Sequence, residues 1–548
     1  MIRAGRKTVA VAVCLLGLAS GAARAQVPTQ ISPGAIGNEN QRRQQQLENQ
    51  TPAPQTAPQN APVTGPAAPS GGNQNAVPDV SFPLRSVDFD PSQFLTKDEL
   101  NDIARPFIGR TVNFKDLSEL VQKINELYGR KGQITARAVL PPQNIRDGAV
   151  HIALIEGKLG KIGINNAMRV REDFVRTRIP AQAGDTVDAA QLVKHVVYFN
   201  RTNDVQLRAT LKPGSAFGTT DIDVSLTEPP ANIFQLFADN YGVESTGRWE
   251  GGVYFRHNDL LGVDDRLMVY GTASGGFISG SASYSLPFDT DGDRFSVSYD
   301  RNHIDIINGQ FQGLGITGDG QTGTIGVSHP LLATERWLVL ANASGSVGTS
   351  TTVAPSGPVA DTQTYRINLG ASGTYIGSDF LASLSPSFVF AHSLNNILAS
   401  DRDITMFLGS GSAIVPFGDS WSMHFAAAWQ FAQQKLLPAD LLFQIGGPTS
   451  VRGYASGTFA GDSGFYTNLE MHKSFNDVLQ GLDLFAAYDA GMIFSTIPAE
   501  RSIQSIAMGA GLGLPSGFKL NAGVGIPLNQ ASPDQDDALA YLQLTVSL

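Results

Sequence analysis

From about residue 231 to the end of the chain, apolar and polar residues alternate in segments that recur about every twenty residues, separated by glycine-rich turns. A period of two is the period of a β-strand, because successive side chains point to opposite faces. The clearest case is 420–431, where Trp421, Met423, Phe425, Ala427, Trp429 and Phe431 share one face and Ser420, Ser422, His424 and Gln430 share the other. Phe295, Val297 and Tyr299 alternate with Ser296, Ser298 and Asp300, and Ala282, Tyr284 and Leu286 alternate with serines. The last segment sets Leu542, Leu544, Val546 and Leu548 against Tyr541, Gln543, Thr545 and Ser547. About sixteen such segments start near 232, 249, 265, 277, 294, 322, 336, 363, 381, 404, 420, 463, 482, 503, 517 and 539. A soluble sandwich or solenoid would carry charges where these hairpins carry Trp and Phe. In lipid no water is present to pair an open strand edge, so a spanning sheet must close on itself. An even number of short strands with one apolar and one small polar face predicts a transmembrane antiparallel β-barrel over 230–548.

The composition follows from such a wall. Only 16% of the 548 residues are charged, against about 25% in typical soluble domains, and glycine stands at 58. The formal net charge of -10 argues against a nucleic-acid partner, which needs clustered Lys and Arg. The N-terminus combines Arg3, Arg6 and Lys7, an apolar run from Val9 to Ala19, and Ala23-Arg24-Ala25. That order predicts a secretory signal peptide over 1–25. It contains the single cysteine, Cys14, so no disulfide or thiolate chemistry is expected in the mature protein. After it no run of 18 apolar residues occurs, so no transmembrane helix is expected.

Between signal and barrel lie three further regions. Residues 26–80 are rich in Gln and Pro, which predicts a semi-extended linker. Within it Asn38 to Asn49 has helix formers without Pro or Gly; a polar helix in a wet enclosure and a disordered stretch are both open. Residues 81–157 and 158–229 repeat one pattern of strand, helix, strand, strand, an α+β tandem. The first repeat reads Phe82–Phe89, a helix over Asn113–Tyr128, then Thr135–Leu140 and Ala149–Glu156. The second reads Leu159–Ile164, a helix over Ala189–Phe199, then Val205–Leu211 and Asp221–Leu226.

The longest interval between alternating segments, about 432–462, holds Phe443-Gln-Ile-Gly446-Gly447 and Val451-Arg452-Gly453-Tyr454. Tyr488-Asp489-Ala490-Gly491 follows on the next strand but one. These motifs resemble those of the two-partner secretion transporters, the TpsB family of haemolysin activator/secretion type. Ile134–Ile145 with Ile155-Glu156-Gly157, and Phe199-Asn-Arg-Thr with Thr219–Val224, resemble its two POTRA domains. The resemblance implies two periplasmic POTRA domains (81–157 and 158–229), a 16-stranded outer-membrane barrel, and a plug helix within 26–80. It implies an inward-folded loop with Val451, Arg452, Gly453 and Tyr454 at its tip. It further implies a transporter, not an enzyme, that exports an unfolded, β-helical, haemolysin- or adhesin-like exoprotein from the periplasm. Its other partners would be outer-membrane lipid and the machinery that inserts barrels. Two departures are the final Leu548, where an aromatic residue is usual, and Gly509-Ala-Gly-Leu-Gly513, which lacks the arginine that often follows such a run.

The residues give these motifs a chemistry. Alternation puts Asp483, Phe485, Ala487 and Asp489 on one face, which two aspartates mark as the lumen. An inward loop would pair the permanently charged Arg452 with Asp489, hinged on Gly446 and Gly447, with Gly491 beside it. An unfolded client would add a strand to a POTRA edge near Thr135, Arg137, Val139 and Leu140. Asp289-Thr-Asp-Gly-Asp293 lacks the spacing of a calcium loop and reads as a hairpin turn. The eight histidines show no metal spacing, and neither a Walker loop nor a nucleophile elbow occurs. No catalytic residue, metal or cofactor is expected. An insertase of the same superfamily is the alternative, although such proteins typically have more POTRA units. A passive porin would not need the tandem.

Overall fold

Sixteen antiparallel strands close into a barrel through pairing of the first with the last. The structure is a computed structural model that describes residues 28–50, 63–64, 80–216, 218–494 and 500–548. The expected signal peptide, with Cys14, lies outside the described residues, as does most of the expected linker. The barrel strands are β1 (Asn232–Asp239), β2 (Glu250–Asn258), β3 (Arg266–Ser274), β4 (Phe277–Pro287), β5 (Arg294–Asp305), β6 (Thr317–Ala333), β7 (Trp337–Ala354) and β8 (Gly357–Ile376). They continue as β9 (Leu381–Asn395), β10 (Ser400–Phe417), β11 (Trp421–Ala432), β12 (Ser463–Ser474), β13 (Leu482–Phe494), β14 (Arg501–Gly513), β15 (Phe518–Pro527) and β16 (Leu539–Ser547). Among the described residues no helix is long and apolar enough to cross a membrane.

The faces divide as the alternation requires. Trp421, Met423, Phe425 and Phe431 are exposed on the outer face of β11, while Gln430 is buried inside. On β16, Leu542 and Leu544 face out and Tyr541, Gln543 and Thr545 are buried. β6, β8 and β10 begin four to six residues before the sequence suggests, and β8 reaches 20 residues. About 9–11 residues suffice to span the hydrocarbon. The extra length is Thr-, Ser-, Asp- and Gly-rich, so it carries no apolar alternation to read. The Asp289–Asp293 segment is a turn, with the Asp289 carboxylate accepting from the Asp291 and Asp293 amides, each at 3.0 Å.

Residues 56–229 form a separate compact unit of two α+β halves. In the first, α3 (Phe114–Arg130) buries Leu117, Leu120, Ile124 and Tyr128 against a three-stranded sheet ordered Ser86–Phe89, Ala149–Glu156, Ala136–Val139. The expected strand Phe82–Phe89 is two strands. Phe82–Pro83 pairs with Thr111–Val112, and Ser86–Phe89 pairs with Ala149–Glu156. Pro83 has no amide to give a ladder, which favours a break there. A short helix, α2 (Lys97–Ala104), is absent from the sequence reading; its capping box, Thr96 with Glu99, is the signal that marks it. In the second half, α4 (Glu172–Arg176) and α5 (Ala189–Thr202) accompany strands ordered Val63–Thr64, Gln206–Pro213, Thr219–Thr227, Lys158–Asn165. Val63 and Thr64 thus turn part of the expected linker into an edge strand.

The halves are joined by Gln133, which donates to Asp188 at 2.8 Å and accepts the Ala189 amide at the start of α5. At the unit's end, burial opposes ionisation of Glu228. The amides of Met168, Arg169 and Val170, with the Arg169 guanidinium, outweigh it and hold the carboxyl below its ordinary range.

Candidate functional site

Two pieces of chain lie among the inward-facing side chains of the barrel: helix α1 (Pro33–Gln50) and the loop between β11 and β12. The helix starts five residues before the polar stretch that the sequence marks. Proline suits a first helical turn, and Gly34 allows close approach to the loop and the wall: a Cβ there would lie 2.7 Å from Asp440 Cβ and 3.2 Å from Ser350 Cβ.

The helix is held mainly by polar contacts. Asn40 donates to Ser279 at 3.2 Å and accepts from the Tyr270 hydroxyl at 3.3 Å. Ser281 donates to Gln44 at 3.1 Å. Arg43 donates to the Tyr241 carbonyl at 2.7 Å and pairs with Glu250 at 3.3 Å. Ile36 at one end, with Ile31 in the turn just before the helix, and Leu47 near the other, reach small apolar clusters on the wall.

The loop is anchored at its root by Asp462, wholly buried, whose carboxylate accepts the Leu436 and Leu437 amides at 3.0 and 2.8 Å. A short hairpin, Phe443–Ile445 against Phe459–Gly461, carries the chain inward. Gly446 and Gly447 (φ +104° and +101°) then turn it where a side chain would be strained. At the tip, Arg452 is 12% exposed and Asp489 0%. Nε and Nη2 of Arg452 donate to the two carboxylate oxygens of Asp489 at 2.7 and 2.6 Å, a bidentate pair, and the Arg452 amide adds a third bond at 3.1 Å. Nη1 pairs with Glu470 at 2.6 Å, and the guanidinium lies over the Phe485 ring, 5.4 Å from its centroid. Asn468 bridges, donating to Asp489 at 2.8 Å and to the Ser450 carbonyl.

The neighbours of Arg452 fit the wall sterically. Val451 is fully buried over Gly491, where an added Cβ would lie 2.9 Å from Val451 Cγ2. Gly453 donates its amide to the Tyr541 hydroxyl at 2.7 Å and lies so close to Gly525 that a Cβ there would strike the Gly453 nitrogen. The Tyr454 hydroxyl lies 2.8 Å from both the Gln504 and Asn529 carbonyl oxygens. Loop and helix also touch: Thr449 donates to Glu39 at 2.5 Å, and Gln444 to the Ala35 carbonyl at 3.1 Å.

The structure therefore brings together Val451, Arg452, Gly453, Tyr454, Asp489 and Gly491, with Gly446 and Gly447 behind them. Glu470, Asn468, Tyr541 and Gly525 escape the sequence reading. Glu470 and Asn468 carry one signal: they alternate with the outward Leu469 and Met471, which puts them in the lumen. Thr135, Arg137, Val139 and Leu140 lie elsewhere, in the compact unit 56–229. There Ala136–Val139 is an edge strand flanked by Thr135 and Leu140, and its backbone is not bare. Asn125 of α3 accepts the Ala138 amide at 2.7 Å and donates to the Ala138 carbonyl at 3.2 Å.

Gly491→Val is expected to unseat the loop tip, at an overpacking cost of about 1–3 kcal/mol, while the barrel still closes. Protease access to 433–462 should rise, with the heat-dependent gel mobility of the folded barrel retained.

Comparison with known proteins bears on this arrangement. Residues 218–515 match the family model described as haemolysin secretion/activation protein ShlB/FhaC/HecB, and 82–157 match the POTRA domain of ShlB type. The heme/hemopexin transporter protein HuxB of Haemophilus influenzae is 24% identical over 85% of this chain and 87% of its own length. The outer membrane transporter CdiB of Dickeya dadantii is 24% identical over 80% of each chain. The solved structure of CdiB from Escherichia coli covers 96% of this chain and all of its own, with a TM-score of 0.69 at 20% identity, which speaks to the fold. The chain belongs to the haemolysin secretion/activation family ShlB/FhaC/HecB, the two-partner secretion (TpsB) transporters, with its β-barrel in the outer membrane and its POTRA domains in the periplasm.

Proposed function

We propose that this transporter exports one unfolded, β-helical exoprotein of haemolysin or adhesin kind, with the barrel lumen as conduit and the POTRA tandem as receptor. The observation that carries the reading is the unequal anchoring of the two pieces in the lumen. Helix α1 is held by neutral hydrogen bonds, which water can replace at small net cost, about 0.5–1.5 kcal/mol each, and by one buried, single-contact ion pair, Arg43 with Glu250 at 3.3 Å. The loop tip is held by a buried, bidentate ion pair; removing one partner of such a pair costs about 3–5 kcal/mol. The helix is the removable plug, and the loop is a fixed element past which the client moves. No nucleotide-binding motif occurs in the sequence, so folding of the client outside biases the movement.

The client docks at the first POTRA domain beside Ala136–Val139, where Thr135, Arg137, Val139 and Leu140 present side chains to an added strand. Asn125 holds the outward backbone groups of Ala138, and a client strand displaces it. An inward-facing side-chain latch of this kind protects an edge from indiscriminate pairing.

Three measurements test these roles. Arg452→Ala should leave the folded barrel in the outer membrane and cut the exoprotein recovered from the medium at least tenfold; normal export would reject the lock. Removing residues 28–50 should raise single-channel conductance in planar bilayers, and unchanged conductance would reject the plug. Asn125→Ala should increase capture of the unfolded client by the periplasmic tandem, whereas no change or a loss would move the docking surface away from this edge.

A further inference from the structure

Beside the loop tip the inner wall carries a second cluster, which shares Glu470 with it. His424 lies on β11, and Glu470 and His472 lie two residues apart on β12, so all three face the lumen. The register places His424 directly opposite Glu470, and Ser422 opposite His472. One ligand atom from each of the three residues lies within 4.8 Å of the others. The two imidazoles stack with centroids 4.0 Å apart and planes 20° from parallel, so one ring must turn about χ2 before both aim a lone pair at one ion.

His472 is held through both ring nitrogens, and an ion would take the place of its contact with Glu470. Nδ1 is 2.6 Å from Asp483 on β13, and Nε2 faces a Glu470 oxygen at 2.8 Å. A carboxylate behind the far nitrogen is what fixes the tautomer and ring plane of a metal-ligating histidine. His424 is steadied by Ser422 at 3.0 Å. The cluster opens on a cavity of roughly 820 Å³, ample for an ion and its waters. Two imidazoles and one carboxylate are a donor set for a borderline divalent ion of the zinc class. Calcium would need six to eight oxygens.

We infer that His424, His472 and Glu470 form a transition-metal site, with Asp483 orienting His472 and water taking the fourth position. The other oxygen of Glu470 holds Arg452 at 2.6 Å, so an ion here is joined to the loop tip through one carboxylate.

The test uses the full-length protein in detergent, stripped with chelator and dialysed against Zn²⁺. His257, His303, His329 and His392 are also on the barrel, each beside Asn or Asp, so the comparison with variants decides. Wild type should bind one equivalent of zinc that both His424→Ala and His472→Gln lose, with folded gel mobility intact. Co²⁺ in its place should give the intense visible absorption of a four-coordinate ion, absent from both variants. Should His472→Gln not fold, Asp483→Asn serves instead, with affinity lowered about 10–100-fold. Equal zinc binding by wild type and His424→Ala, or only the faint spectrum of six-coordinate Co²⁺, overturns the site.

Discussion

Every backbone amide and carbonyl that faces hydrocarbon must be paired within the protein, because an unpaired group there costs several kcal/mol. Strand closure meets this demand, and the seam between β1 and β16 completes it with five paired positions from Gln235 with Ser547 to Asp239 with Gln543. The rest of the barrel's character follows. Closure forces one side of every strand outward into lipid and the other inward, so apolar and polar residues must alternate. A sixteen-stranded ring is too wide for its own side chains to fill. The inward residues are therefore small and polar, and what occupies the lumen is separate chain.

That chain is bound in two physically different ways. Arg452 is a fork of fixed donors that no accessible pH neutralises. Asp489, Glu470 and the Phe485 face satisfy it, and Gly491 and Gly525 let backbone and Val451 come close. Taking Arg452 out of that nest strands a buried carboxylate, so the tip has one seated geometry. Helix α1 instead rests largely on serines, asparagines and tyrosines, whose bonds exchange readily with water, and its charged contacts are single ones: Arg43 with Glu250 and the Tyr241 carbonyl, Arg42 with the Gln444 carbonyl, and Glu39 with Thr449. A lumen that must be both sealed and emptied is served by one tight and one exchangeable occupant.

The barrel was legible because its constraint writes itself into every second residue; β4, β5, β9, β12, β13 and β16 start where the alternation starts. It was less legible where strands outrun the membrane, since the Thr- and Gly-rich ends of β6 and β8 have no lipid face to declare them. Arg452 and Asp489 could be read from motif and alternation together. Tyr541, Gly525 and Asn529 could not, because their partnership with the tip depends on the curvature that brings β15 and β16 around to the loop. The histidine cluster was hidden for a similar reason. Metal-ligand spacing is a pattern along one element, whereas His424 and His472, 48 positions apart, are brought together by strand register. The linker strand at Val63 was hidden because two residues carry no periodicity.

Glu470 ties these observations together. Its two oxygens face opposite ways: one takes Nη1 of Arg452, the other Nε2 of His472. Asp489 could hold the loop alone, since it already accepts three bonds from Arg452 and one from Asn468. A second acid 2.6 Å from the same guanidinium adds charge that the tip does not need for neutrality. Burying surplus carboxylate is costly unless something else balances it. On the far side of Glu470 stands His472, itself set between Glu470 and Asp483. Loop seating and the state of the histidine pair are thereby linked through a single side chain.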